Sequence, residues 1–335
     1  MTWNERKVVS ILCGILAVLC AALLVVLGIR YRENRDEPET PTAPVVSEEI
    51  EETGIAYLTL SYYNGSTTLN FSRDEADAWI WSDDASFPLD DSTITAICDL
   101  LTNFEPKETI TDAETIANSG TAEPEISLAA STSKGMLTLD FGKTTEDGQY
   151  VRLNSDETTI YLLDTKLFEL MCVPIFDMCV LPQMPALNDE TLLALMIRGI
   201  NAEDPEAGIT TILSAQRTDG ETAVSSWRSS GANVTDLPTV KALLEDVKAM
   251  QVSKCILYRP SEEAVSICGF DTPTAKLGIS YLAEDGSEQL LELWIGNPLP
   301  DGSGRYVRLG DEPTVYLMTT DLLDPLMRVA AEGLN

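Results

Sequence analysis

The chain opens on a block with no polar periodicity at all. Val8 to Ile29 reads VVSILCGILAVLCAALLVVLGI, 22 residues without a charge. At about 1.5 Å per residue such a helix spans a hydrocarbon core of roughly 30 Å. A buried soluble helix of that length would show a polar face. A cleaved signal would have a shorter apolar stretch and a small-residue exit, and Leu27-Gly28-Ile29-Arg30 is a poor one. The pattern predicts an uncleaved transmembrane helix over 8–29 behind a short flank at 1–7.

Residues 30–54 are an acidic, proline-rich linker. Asp36 to Thr53 holds three prolines, seven acids and no basic residue. It cannot bury a core, and its like charges extend it, so it predicts a tether.

Beyond residue 54 the pattern changes to alternating strands and amphipathic helices, and it does so twice. Trp81 stands 13 residues before Ile94, and Trp227 stands 13 before Val240. Each aliphatic opens a helical stripe: Ile94, Ile97, Cys98 and Leu101, then Val240, Leu243, Leu244 and Val247. Asp90, Asp91 and Ser92 provide start signals for the first, Asp236 and Pro238 for the second. After each helix come Gly120 to Pro124 or Gly269 to Pro273, then Phe141-Gly142 or Ile295-Gly296. Tyr150-Val151-Arg152-Leu153 with Ile160-Tyr161-Leu162 close the first series. Tyr306-Val307-Arg308-Leu309 with Val315-Tyr316-Leu317 close the second. So many landmarks in one order predict an internal duplication.

Asn64-Gly65, Asp219-Gly220 and Asp285-Gly286 lie between strand-like runs and supply the positive φ that tight hairpins need. Asp147-Gly148 and Asp301-Gly302 mark a further turn in each unit. Each unit thus predicts a hairpin, one helix and a three-stranded meander, an α+β layer of antiparallel sheet with a packed helix. The first unit is expected over 55–171 and the second over 188–335, with a connector at 172–187 and a short closing helix near Asp324-Pro325.

Charge narrows the function classes. Five basic residues (Arg6, Lys7, Arg30, Arg32, Arg35) and two acids (Glu5, Glu33) flank the apolar block. Residue 36 onward therefore holds 17 basic and 52 acidic side chains, a net charge of −35. That body repels nucleic acid; the charge is explained by solubility alone, with attraction of cations or a basic partner as the alternative. The chain has no histidine, which removes Ser-His-Asp and Cys-His catalysis and every histidine metal site. Cys98, Cys172, Cys179, Cys255 and Cys268, five in the body without a CxxC, form neither a disulfide framework nor a zinc site. Cys172 and Cys179 are close enough in sequence to pair, but the expectation is that they stay free.

In the repeated Tyr-Val-Arg-Leu, tyrosine and arginine share one strand face while valine and leucine take the other. Tyr150, Arg152, Tyr306 and Arg308 are therefore the candidate partner or ligand surface. An ordinary outer sheet face, its arginines screening nearby acids, is the simpler explanation of them. Acid pairs Asp83-Asp84, Asp90-Asp91 and Glu262-Glu263 follow no calcium-loop pattern and read as caps and turns. Trp81 and Trp227 read as core. No catalytic, metal or cofactor residue is predicted.

This landmark order behind one N-terminal anchor resembles the bacterial family called domain of unknown function 4340. The resemblance spans most of 55–328 as two copies, and rests on Gly-Phe-Asp-Thr-Pro at 269–273, Ile-Gly at 295–296, Tyr-Val-Arg at 306–308 and Val-Tyr-Leu at 315–317. The first copy departs, with Gly-Thr-Ala-Glu-Pro at 120–124. The resemblance implies a membrane-anchored, extracytoplasmic accessory of an envelope complex, such as an ABC transporter of the gliding-motility type. It carries over no catalytic residue. Positive charges on the two flanks of the apolar block nearly balance, so orientation rests on the resemblance. The expected function is a non-enzymatic binding or scaffolding module on the cell membrane. A sensor for a small ligand or cation, and a cell-envelope hydrolase using carboxylates, are the alternatives.

Overall fold

The computed structural model describes residues 54–132, 135–200 and 208–334. The expected transmembrane helix at 8–29 and nearly all of the linker lie outside them. Among the described residues no helix is long and apolar enough to cross a membrane.

In the first unit β1 (Tyr57–Tyr62), β2 (Thr67–Arg73) and β3 (Trp79–Trp81) precede α1 (Ser92–Thr102), β4 (Glu108–Ile110) and α2 (Ala113–Asn118). Then come β5 (Ile126–Thr132), β6 (Gly135–Thr144), β7 (Gln149–Leu153), β8 (Ile160–Leu163) and α3 (Lys166–Met171). A 3₁₀ turn at Ile175–Met178 leads into the second unit. There β9 (Leu192–Gly199), β10 (Thr210–Gln216), β11 (Ser226–Ser229) and β12 (Ala232–Asn233) precede α4 (Pro238–Lys248), β13 (Lys254–Leu257) and α5 (Glu262–Ile267). Finally β14 (Ala275–Leu282), β15 (Glu288–Pro298), β16 (Gly304–Leu309), β17 (Val315–Thr319) and α6 (Thr320–Glu332) close the chain.

The two sheets run β3-β2-β1-β5-β6-β7-β8-β4 and β12-β11-β10-β9-β14-β15-β16-β17-β13, antiparallel throughout. Apart from the added β12 they share one topology. The three-stranded meander of the sequence reading is a four-stranded one. It is flanked by a three-stranded meander on one side and by a short edge strand, β4 or β13, on the other. The closing helix is likewise longer than expected, with Pro325 inside it.

One face of each sheet is the core. Ile94, Ile97 and Leu101 of α1 and Leu167 and Met171 of α3 pack on Leu58, Leu60, Leu128, Leu139 and Val151. Val240, Leu243, Leu244 and Val247 of α4 and Leu323, Leu326 and Val329 of α6 pack on Leu195, Ile197, Leu277, Ile279, Leu293 and Ile295. Trp227 is buried with them, and Trp81 packs against both cores. Such burial of aliphatic and aromatic surface is the main stabilising term.

The repeated glycines mark a close backbone approach. A Cβ on Gly142 would sit 2.3 Å from the Ser119 carbonyl oxygen, and one on Gly296 2.2 Å from that of Cys268. In both units the next amide uses the gap: Lys143 N–H donates to Ser119 O at 2.7 Å, and Asn297 N–H to Cys268 O at 2.8 Å.

The units meet at a seam built by residues 84–90 and the connector. Phe87, from the first unit, is buried in the second unit's core. Its ring lies 5.0 Å from Tyr258 and 5.4 Å from Trp81, both edge-on. Tyr258 OH donates to Ser86 O at 2.8 Å. Arg259 reaches Asp84 at 3.4 Å, and Lys254 reaches Asp177 at 2.7 Å. Asp90 N–H donates to Met178 O and Val180 N–H to Pro88 O, each at 2.7 Å, clamping the loop to the connector.

Candidate functional site

Tyr150 and Arg152 lie on β7, Tyr306 and Arg308 on β16, all partly buried. Within each unit the pair shares the outer sheet face, as alternation requires; the two pairs belong to different sheets. Tyr150 packs against Ile110, Ile160 and Leu162, with Ile116 of α2 beside them. Tyr306 packs in a matching cluster with Cys268, Phe270, Val315 and Val265 of α5. Arg152 bonds Asp140 at 3.2 Å across the β6–β7 ladder, with both side chains nearly buried. Arg308 lies over Trp294 at 5.5 Å and Phe270 at 5.6 Å, and donates to Glu312 O at 2.9 Å. These four side chains are thus engaged in holding α2, α5 and the strand ends to the sheets.

The open part of each outer face lies further along the sheet, and the registers align the two. In the first unit Asn70, Thr59, Ala129 and Thr138 form one row across β2, β1, β5 and β6. Thr68, Ser61, Ser127, Asp140 and Arg152 form the next. The matching rows in the second unit are Ile212, Met196, Gly278 and Glu292, then Thr210, Arg198, Lys276, Trp294 and Arg308. At equivalent positions threonine and asparagine become methionine and isoleucine, two serines become arginine and lysine, and aspartate becomes tryptophan.

The result is two different surfaces. On the first sheet Tyr57 OH and Thr59 Oγ1 both donate to Asn70 Oδ1, at 2.9 and 3.0 Å, a self-satisfied polar centre with the exposed Met136 towards the end of β6. On the second, Met196 is 45% exposed, Ile212 51% and Leu290 61%. Gly278 lies at the centre with the Met196 and Leu290 side chains at its edge. Lys276 Nζ stands 3.5 Å from the Trp294 ring centroid, and Arg228 and Arg198 are exposed on neighbouring strands. Lys276, Arg198, Arg228 and Arg308 thus flank the exposed apolar strip of a body whose net charge is −35, with the exposed Glu292 at the end of its central row. Leu-Leu-Ala-Leu-Met-Ile at 192–197, a strand without a polar alternate, was the sequence signal for this face.

The acid pairs behave as turn builders. Asp84 accepts from Ser86 N–H and hydroxyl, Asp90 from Ser92 N–H, and these hydrogen bonds hold both carboxyls below the usual range. Glu262 and Glu263 occupy the first turn of α5. No group of three metal-ligating side chains occurs among the described residues. A cavity of about 290 Å³ in each unit lies between the last helix and the sheet, lined by Gly199, Thr274 and Met327 in one and Gly142, Lys143 and Phe168 in the other.

A family model described as "Domain of unknown function (DUF4340)" matches residues 79–178 and again 227–330. The chain belongs to the DUF4340 family. It holds two copies in tandem, each matched stretch beginning at β3 or β11. The hairpins β1–β2 and β9–β10 therefore precede the matched DUF4340 stretches. Of the second outer face, Lys276, Leu290, Trp294 and Arg308 fall inside the match, and Met196, Arg198 and Ile212 fall before it. No curated protein and no solved structure matches the chain.

Proposed function

We propose that this DUF4340 protein is a membrane-tethered, extracytoplasmic binding module that docks a partner of an envelope complex through the outer face of its second sheet. Met196 and Ile212, which stand where the first sheet has Thr59 and Asn70, carry this reading; together with Leu290, whose equivalent in the first sheet is the exposed Met136, they make a continuous apolar strip. Exposed apolar side chains on a sheet face are costly to leave in water and gain free energy when covered. The basic side chains beside the strip favour an acidic surface on the partner, while the like net charge of two such bodies opposes their long-range approach to one another. The uncharged run at 8–29 supports the anchor. The family resemblance supports an ABC transporter as the complex served.

Co-purification from detergent-solubilised membranes tests it. Met196→Asp with Ile212→Asp should weaken retention of the membrane partner at least roughly 30-fold, the loss of one interface hot spot. Thr59→Asp with Asn70→Asp, at the equivalent positions of the first sheet, should leave it unchanged. A wild-type chain that retains no membrane protein, or equal effects from both pairs, refutes the proposal. Protease added to intact cells should degrade the body, and full protection would overturn its placement.

A further inference from the structure

Two cysteines far apart in sequence converge at the seam. Cys179 follows the 3₁₀ turn, and Cys255 is the second residue of β13. Both are buried in the same core. Their stretches of chain are held side by side by the Lys254–Asp177 ion pair at 2.7 Å, and Cys179 is itself pinned to the seam loop by its pairing with Leu89. Cys179 Sγ donates to Val180 O at 3.5 Å, and the Cys255 thiol lies close enough to perturb it electrostatically. Cys172 is exposed, unlike Cys179 and Cys255.

We propose that Cys179 and Cys255 are a disulfide site that fastens the connector to the second unit when the body folds in an oxidising compartment. In thiol–disulfide exchange one cysteine thiolate attacks a low-molecular-weight disulfide such as oxidised glutathione, releasing one glutathione thiol. The second cysteine then attacks the mixed disulfide and releases the other. Two thiol protons and one electron pair pass to the oxidant, and one sulfur–sulfur bond forms in the protein. Burial pushes the Cys255 thiol up to about 12 and raises that of Cys179. Thiolate is therefore scarce in the folded body, and the bond forms as the chain folds rather than afterwards. Closing the long 179–255 loop restrains the unfolded chain and ties Leu89, Cys179 and β13 into one unit.

The inference on the site itself is independent of where the body resides; its formation in cells rests on the extracytoplasmic reading. Full-length protein is unfolded and refolded in detergent with a mixture of reduced and oxidised glutathione, then alkylated and digested. The expected product is a disulfide-linked peptide pair containing Cys179 and Cys255, with Cys172 alkylated. The oxidised form should melt roughly 5–10 °C above the reduced form, and Cys255→Ser should abolish the difference. Alkylation of both thiols after oxidative refolding, or a link between Cys172 and Cys179, overturns the proposal. Acid-quenched cells provide the second arm. A bond that forms in vitro but is absent in cells leaves the site standing and refutes the extracytoplasmic placement instead.

Discussion

Phe87 is the side chain on which the union of the two units most depends, and Phe87→Ala tests it. The residue belongs to the first unit by sequence but is 5% exposed inside the second unit's core, against Tyr258, Trp81 and Phe176. An aromatic side chain buries about 150–250 Å², so at about 25 cal/mol per Å² the transfer contribution reaches roughly 4–6 kcal/mol as an upper bound. Truncations of buried phenylalanine cost about 3–5 kcal/mol. The expected loss is therefore about 3–5 kcal/mol, read as a lower urea midpoint at constant slope. The seam adds a sharper readout in reducing buffer. Cys255 is 1% exposed on β13, in the same core that Phe87 enters. If opening the seam exposes it, its alkylation should accelerate by about 100-fold or more, since about 1.4 kcal/mol is a factor of ten. Phe87→Leu should retain much of the wild-type behaviour. A loss below about 1 kcal/mol with unchanged Cys255 alkylation would refute the claim that a first-unit side chain completes the second core.

Three further outcomes follow from the same geometry. Gly142→Ala and Gly296→Ala each force a Cβ onto a carbonyl oxygen, at 2.3 and 2.2 Å, and should each cost about 1–3 kcal/mol in denaturant melts. Gly278→Ala, whose new Cβ would meet nothing closer than 3.6 Å, should be neutral or stabilising. Asp140→Ala strips Arg152 of its carboxylate where the arginine side chain is 13% exposed, and should cost about 2–4 kcal/mol; Asp140→Leu with Arg152→Leu should cost less than the single change. In alkali, burial has pushed Tyr62 and Tyr316 up to about 12 and Cys98 to about 11. These raised values mean the stability they confer is complete below the unfolded-state values, near 9 for the thiol and 10 for the phenols. It should be lost as pH climbs through 11 to 12, with unfolding and phenolate absorbance rising together. Titration of both tyrosines near 10 in a still-folded protein would contradict their burial.

How much of this was legible beforehand depended on how local each feature is. The stripes of α1 and α4 were readable because periodicity and start signals lie within a dozen residues, and Ile94, Ile97, Leu101, Val240, Leu243 and Val247 do face the core. Asn64-Gly65 and Asp285-Gly286 were readable because a tight turn is decided by its own φ angles. The strands β4 and β13, three and four residues long, carry no period. The helices α2 and α5 have six residues each and bury none fully. Both kinds of element exist because a sheet edge and an outer face need covering. The seam was hidden because Phe87 sits between Ser86 and Pro88 and reads as a loop.

The sequence by itself determined the duplication, the α+β class, the placement of the turns and the acidity of the body, since each is written in neighbouring residues or in their sum. Tertiary structure alone decided that Phe87 completes the second core, that Cys179 meets Cys255, and that Met196, Ile212 and Leu290 form one exposed strip. Each of these joins residues from separate segments, and which side chains become neighbours depends on strand register and on how the two units pack. Neither is encoded in any short stretch of chain.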